Sequence, residues 1–163
     1  MPGTRLDSST AEALAARGRV LLVDDQPELR RLYRRNLTKL GYEVVEASNG
    51  RAAIELACQE HFDVVISDVR MPDLSGVELL RELYELDPDL PVVLMSGGMD
   101  VETERAATQY RAFAYLMKPV PFEHIQTSAA RAIELRRERE EARQHFEPAA
   151  SLKRLRVRER HEP

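Results

Sequence analysis

Cysteine is nearly absent from this sequence, since Cys58 is the only one among its 163 residues. A lone cysteine excludes an internal disulfide and a metal site built from several thiolates. Tryptophan is missing as well, and no apolar run is long enough to cross a membrane. Residues 1–10 lack the apolar core of a signal peptide. We therefore expect a protein of the reducing cytoplasm with no membrane partner, in which Cys58 fills space on an apolar helix face.

Charge is plentiful and nearly balanced. Charged residues make up 32% of the chain and leave a net charge of −4, while the 43% of hydrophobic residues allow a real core. The length suits one domain with extensions. We expect an N-terminal tail at 1–18, a domain at 19–135, and a charged helical extension with a basic tail at 136–163.

Five short apolar segments alternate with five segments of helical periodicity. The predicted strands begin at Val20, Glu43, Val64, Pro91 and Ala114. Such alternation is typical of an α/β protein with a parallel sheet covered on both faces. The sequence does not contain the order of the strands. The first predicted helix opens at Pro27, with a buried stripe formed by Leu29, Leu32, Tyr33, Leu37 and Leu40.

Local signals predict where several helices begin. Ser75 and Glu78 have the spacing of a capping box, and Asp100 is placed to cap the fourth helix. A further capping box spans residues 9–12, before a short helix that Gly18 would end.

Polar residues stand where the predicted strands end. Asp24 and Asp25 follow the first strand, Asp68 the third, Ser96 the fourth and Lys118 the fifth. Because the carboxyl ends of parallel strands meet at one edge of a sheet, where ligands bind, these side chains should converge. We read Asp68 as the reacting group.

The chemistry of such a cluster follows from its charges. Three neighbouring carboxylates repel one another unless a cation intervenes, and a hard divalent ion such as Mg²⁺ accepts oxygen ligands. Lys118 provides a point charge suited to a phosphoryl oxygen. The pattern favours phosphoryl transfer onto Asp68. The alternative is that Asp24, Asp68 and Ser96 only cap the helices that follow.

Four motifs carry a resemblance to a known family. They are Val-Asp-Asp at 23–25, Ser-Asp-Val-Arg-Met-Pro at 67–72, Ser-Gly at 96–97 and Tyr-Leu-Met-Lys-Pro at 115–119. Over residues 19–135 the chain resembles the receiver domain of bacterial two-component response regulators. The resemblance implies a flavodoxin-like, doubly wound five-stranded parallel sheet of order 2-1-3-4-5 with five helices.

The resemblance also implies a chemistry. Asp68 would accept a phosphoryl group from a phosphohistidine on a sensor histidine kinase or phosphotransfer protein. Mg²⁺ would be held by Asp25, Asp68 and the backbone carbonyl of Arg70, with Asp24 acting through water. The protein would be a phosphoacceptor with Mg²⁺-dependent self-phosphorylation and self-dephosphorylation, and otherwise not an enzyme.

Further expectations concern the switch and the backbone around it. Lys118 would pair with the phosphoryl group, and Ser96 would move to bind it while Tyr115 swings inward behind. The Lys118–Pro119 bond looks like the family's cis peptide. Arg111 stands where similar receivers often have glycine, which costs on the order of 1 kcal/mol if φ is positive there.

Beyond Leu135 the apolar stripe of the last helix is lost. Arg136–Glu140 and Arg137–Glu141 have the i,i+4 spacing of ion pairs, and the extension should be solvated up to a break at Pro148. By the resemblance, phosphorylated chains would pair through helix 4, strand 5 and helix 5; the alternative is that the extension is a frayed linker on a monomer.

Two other functions compete with the signalling one. A nucleic-acid-binding module could act through residues 149–163, whose charge is +3; setting this aside from the total of −4 leaves −7 for residues 1–148, which opposes a polyanion. A phosphatase of the haloacid-dehalogenase type needs a second acid two residues after its nucleophile, where this chain has Arg70.

Overall fold

The computed structural model describes residues 17–98 and 100–158, except for the side chains of residues 146–158. The capping box predicted at residues 9–12 lies outside the described residues, and so do the side chains of the predicted basic tail.

A single five-stranded sheet organises the described residues. Its strands are β1 (Arg19–Val23), β2 (Glu43–Ala47), β3 (Val64–Asp68), β4 (Val92–Ser96) and β5 (Ala114–Met117). All neighbours pair in parallel, in the order β2-β1-β3-β4-β5. Every residue of the central strand β3 is buried. The flavodoxin-like architecture is confirmed.

Helices cover both faces of this sheet. They are α1 (Pro27–Lys39), α2 (Gly50–Gln59), α3 (Gly76–Leu86), α4 (Val101–Gln109) and α5 (Phe122–Arg158). Because side chains alternate along a strand, one face buries Val20, Leu22 and Ile66 with α1 and α5. The other face buries Leu21, Val65 and Leu94 with α2 and α3.

The local signals at helix ends are borne out. Glu78 N donates to Ser75 Oγ at 3.1 Å, and Ser75 N donates to Glu78 Oε2 at 2.9 Å, which completes the capping box. Asp100 Oδ1 accepts from Thr103 N at 2.7 Å. Arg111, just after α4, has φ of 53°, so the condition under which an arginine costs more than glycine at this position is met. The Lys118–Pro119 peptide is cis.

Two predictions of burial are wrong. Cys58 is exposed, because it follows the buried Ala53 by five positions and so lies about 140° around the helix from it. Leu32 is 42% exposed, since Tyr33 next to it occupies the inward direction of α1.

The charged extension of α5 is not simply solvated. Arg136 is only 5% exposed. Its Nη2 lies 2.8 Å from Asp87 Oδ2. Its Nε lies 2.9 Å from Glu140 Oε1, which is close enough for an ion pair, but Nε is not aligned for a hydrogen bond. Arg143 pairs with Asp89. These contacts bury Arg136 because they supply the carboxylates that a buried guanidinium requires.

The α5 backbone also passes Pro148 without a break, contrary to expectation. A proline removes one helical hydrogen bond and can bend a helix without ending it. In the described part of the chain, this long helix and all the others fall short of the apolar length that spans a bilayer.

The Arg136–Asp87 pair makes a testable contribution to stability. Burial tends to raise the pKa of Asp87, but the hydrogen bond and charge of Arg136, the Asp89 N–H and the charge of Arg143 outweigh it and lower that pKa. A depressed carboxyl pKa stabilises the folded state above the ordinary value of about 4, and this contribution is lost as pH falls from that value through the lower pKa of the folded state. Asp87→Asn should lower the free energy of unfolding at pH 7 by about 1–3 kcal/mol.

Urea unfolding followed by circular dichroism measures this change. The difference between the parent and Asp87→Asn should stay nearly constant between pH 7 and about 5, and it should shrink as pH falls below about 4, through the lowered pKa of Asp87. Arg81→Gln, which removes an exposed pair with Glu82, is the matched control. An Asp87→Asn protein no less stable than this control would contradict the role given to the pair.

Candidate functional site

Two acids follow β1 directly. Asp24 is fully buried, and its Oδ1 accepts from Gln26 N at 2.9 Å. Its other oxygen, Oδ2, is buried and has no hydrogen-bond partner among the described residues. Asp25 is half-exposed. One buried carboxylate oxygen is thus left for a ligand that the protein itself does not supply.

Asp68 ends the central strand β3 and is 5% exposed. Lys118, which follows β5, places Nζ 3.0 Å from Asp68 Oδ2. Arg70 N approaches Asp68 Oδ1 at 3.4 Å, a long and weak contact. The Asp68 carboxylate therefore has a cation on one side and lies near the start of the next loop on the other.

The three acids form one cluster. An oxygen from each of Asp24, Asp25 and Asp68 lies within 4.8 Å of the others. Burial is the main cause that raises the pKa of Asp24, and the charges of Asp68 and Asp25 add to it; the Gln26 N–H and Lys118 act in the opposite direction. Three acids beside Lys118 suit a hard divalent cation, so the residues fit Mg²⁺.

Two hydroxyls meet at one carbonyl oxygen on the other side of the site. Ser96 Oγ donates to Gly98 O at 2.6 Å, and Tyr115 OH donates to the same oxygen at 3.1 Å. Ser96 is 1% exposed. The two residues predicted to act as a switch are therefore joined through the loop that follows β4.

A cavity of about 740 Å³ opens beside these groups, with Asp25, Arg70, Ser96 and Thr103 in its wall. Arg70 is exposed. Its guanidinium lies next to Gly98, where a β-carbon would come within 3.6 Å of Nη2. The arginine therefore stands at the rim of the cavity, in a position to meet a group bound there.

A model of the response regulator receiver domain matches residues 20–130. The chain belongs to this family.

Relatives of this receiver include transcriptional regulators. It is 41% identical over 122 residues to the C4-dicarboxylate transport transcriptional regulatory protein DctD of Pseudomonas aeruginosa, which covers 75% of this chain and 26% of the relative. It is 35% identical over 138 residues to the regulatory protein AtoC of Escherichia coli, covering 85% of this chain and 30% of AtoC. The chain thus spans less than a third of the length of these relatives.

Solved receivers share the fold. The chemotaxis protein CheY4 of Vibrio cholerae matches with a TM-score of 0.66 at 30% identity, over 70% of this chain and 97% of that one. TrrA of Thermotoga maritima, solved with Mg²⁺ and BeF, matches with a TM-score of 0.64 at 28% identity, over the same shares. The chain is therefore a receiver domain of two-component response regulators, and the comparisons do not favour a nucleic-acid-binding module.

The receiver's structure brings most of the predicted site together. Asp24, Asp25, Asp68 and Lys118 lie in one cluster. Ser96 and Tyr115 share a hydrogen-bond acceptor beside it. The roles assigned to these residues, and to the backbone carbonyl of Arg70, stay predictions.

Two further residues shape the site without having been predicted. A β-carbon at Gly76 would come within 2.8 Å of Val69 Cα, so only glycine lets α3 begin this close to the strand that ends in Asp68. Arg30 Nη1 donates to the backbone oxygen of Asp24 at 2.7 Å. A glycine inside the capping box of Ser75 and Glu78 is a sequence pattern from which the role of Gly76 could have been predicted. The sequence around Arg30 contains no local pattern that predicts its contact with Asp24.

The raised pKa of Asp24 predicts the effect of removing its charge. An acid whose pKa is higher in the folded state favours folding below its unfolded pKa of about 4, and this contribution is lost as pH rises through the folded value. Asp24→Asn keeps an acceptor for Gln26 N without the charge. In EDTA at pH 7 it should therefore have a higher Tm than the parent, and the gain should vanish below about pH 4.

Asp73→Asn is a control in which the expected change in Tm has the opposite sign, because the pKa of Asp73 is lowered. Although its slight burial acts the other way, hydrogen bonds from Arg51 N, Leu74 N and Gly50 N lower the pKa of Asp73. That variant should have a lower Tm in the same thermal scans. A lower Tm for Asp24→Asn as well would show that the Asp24 carboxylate stabilises the metal-free fold.

Proposed function

We propose that Asp68 accepts a phosphoryl group from a phosphohistidine on a sensor histidine kinase or a phosphotransfer protein. The observation that carries this is the position of the Asp68 carboxylate, at the end of the central strand, 3.0 Å from Lys118 Nζ and within 4.8 Å of two further acids. In an open parallel sheet, this edge is where ligands bind.

The transfer breaks one bond and makes another. A carboxylate oxygen of Asp68 bonds to phosphorus while the P–N bond to the donor histidine breaks and its electron pair returns to the imidazole. Lys118 offsets the negative charge that Asp68 and the phosphoryl oxygens bring together. The same site would take a phosphoryl group from a small donor and release it to water.

Mg²⁺ would be held by Asp25, Asp68 and the backbone carbonyl of Arg70, with Asp24 acting through water. When bound, the ion neutralises charge on the carboxylates and on the phosphoryl oxygens. The buried, unpartnered Oδ2 of Asp24 supports this assignment.

Ser96 and Tyr115 would form the switch. To reach a phosphoryl oxygen on Asp68, the Ser96 hydroxyl must give up its bond to Gly98 O. The same oxygen holds Tyr115, so a movement of the loop would release both side chains together.

We place the phosphorylated receiver in the cytoplasm, with residues 1–18 as a tail, 19–135 as the domain, and 136–163 as the extension and basic tail.

Phosphorylation at Asp68 can be measured directly. With Mg²⁺ and acetyl phosphate, the protein should gain one phosphoryl group that is stable to acid and labile to alkali, since it is an acyl phosphate. Intact-mass spectrometry and alkaline hydrolysis detect it. Asp68→Asn should remain unmodified, with Asp73→Asn as the control that still gains phosphate. Equal uptake by Asp68→Asn would end the assignment.

We also propose that phosphorylated receivers pair through α4, β5 and α5. Exposed apolar side chains support this face: Met117 on the edge strand β5 is 47% exposed and Val101 at the start of α4 is 82% exposed. A pair formed there would set two charged extensions side by side.

Sedimentation velocity tests the pairing. With Mg²⁺ and beryllofluoride, which mimics a bound phosphoryl group, the protein should shift from monomer to dimer, while Asp68→Asn stays monomeric. If the parent is monomeric in both states at high micromolar concentration, pairing through this face is wrong.

A further inference from the structure

Arg30, in the first turns of α1, contacts the loop that carries two acids of the site. Its Nη1 donates to the backbone oxygen of Asp24 at 2.7 Å. That oxygen belongs to the peptide group joining Asp24 to Asp25. Because a peptide group is planar, a fixed carbonyl direction also fixes the direction in which the chain enters Asp25.

Arg30 is itself held from the neighbouring strand. Its Nε lies 3.4 Å from Glu46 Oε1, and its side chain is only 17% exposed. Glu46 is fixed in turn by Arg34, whose Nη1 lies 2.8 Å from Glu46 Oε2. In the sheet, Glu46 on β2 pairs with Leu22 on β1. The guanidinium therefore links the acidic loop to β2 as well as to its own helix.

We propose that Arg30 is a positioning residue for the acidic pair, one that holds the Asp24–Asp25 peptide in the direction a divalent cation needs. This rests on the proposed function of the acids as an Mg²⁺ site. Carboxylates crowded within 4.8 Å repel one another. A loop free to turn would relieve that repulsion by moving Asp25 away, and cation binding would then have to restore the arrangement.

The charge and the geometry of Arg30 have opposite effects on cation binding. A positive charge near the site weakens binding of a cation, whereas a fixed loop strengthens it. If charge alone mattered, Arg30→Gln would bind Mg²⁺ more tightly and Arg30→Lys would bind it unchanged. Positioning predicts weaker binding for both, because a lysine ammonium is a point charge that cannot reproduce the fork of a guanidinium.

Isothermal titration with Mg²⁺ on the full chain separates these cases. Arg30→Lys and Arg30→Gln should each raise the Kd by about tenfold or more, as is typical when residues that orient metal ligands are lost. Arg34→Gln, which removes the other partner of Glu46 from an exposed position, is the matched control and should change the Kd by less than about twofold. Glu46→Gln, which leaves Arg30 in place but weakens its anchor, should lie in between.

A second readout distinguishes positioning from a general loss of structure. With acetyl phosphate, the Mg²⁺ concentration for half-maximal phosphorylation should rise in both Arg30 variants, while the rate at saturating Mg²⁺ stays near that of the parent. Melting temperatures in EDTA should be close to that of Arg34→Gln. A merely structural role would lower the saturated rate and the Tm together, and that result would overturn the proposal.

Two other results have distinct meanings. Unchanged or tighter Mg²⁺ binding by both Arg30 variants, with Asp25→Ala clearly impaired, would overturn the positioning role and leave the metal site intact. Equal binding by the parent and Asp25→Ala would overturn the metal site itself, and this inference with it.

Discussion

The balance of charge at the carboxyl edge of the sheet is the constraint on which the site depends. Parallel pairing brings the ends of β1, β3 and β5 to one place, and the chain puts acids at two of these ends and Lys118 at the third. Lys118 lies against Asp68, so it neutralises the charge of Asp68 more than the charges of the two acids that follow β1. The repulsion among the three carboxylates is therefore offset least at Asp24 and Asp25, in the loop that Arg30 contacts through the backbone oxygen of Asp24.

Much of this arrangement could be predicted because its signals are local or periodic. Strands read as short apolar runs, Ser75 and Glu78 mark a helix start, and the acids stand directly after strands. The order of the strands could not be predicted from such signals, because it depends on which runs pair in space. It was expected only from the resemblance to receiver domains. Cys58 and Leu32 show a related failure, because an apolar residue beside a buried stripe looks the same in sequence whether it points inward or not.

The contacts of Arg30 with Glu46 and of Arg136 with Asp87 could not be predicted for a different reason. Each contact is made by an arginine on a charged helix, where the ordinary expectation is a solvated side chain. Their partners are distant in sequence: Glu46 lies on β2 for one, and Asp87 follows α3 for the other. Only the packing of α1 against β2 and of α5 against the sheet brings these two guanidinium groups to their oxygen partners.

The contacts of α5 bear on how this receiver could be shortened or joined to another protein. A chain cut after Leu135, where the apolar stripe ends, would keep the whole hydrophobic core but lose the cations that face Asp87 and Asp89. Two carboxylates would then stand close together in one loop without their arginines. A junction placed after Arg143 preserves both pairs, and it also keeps the direction in which the helix leaves the domain.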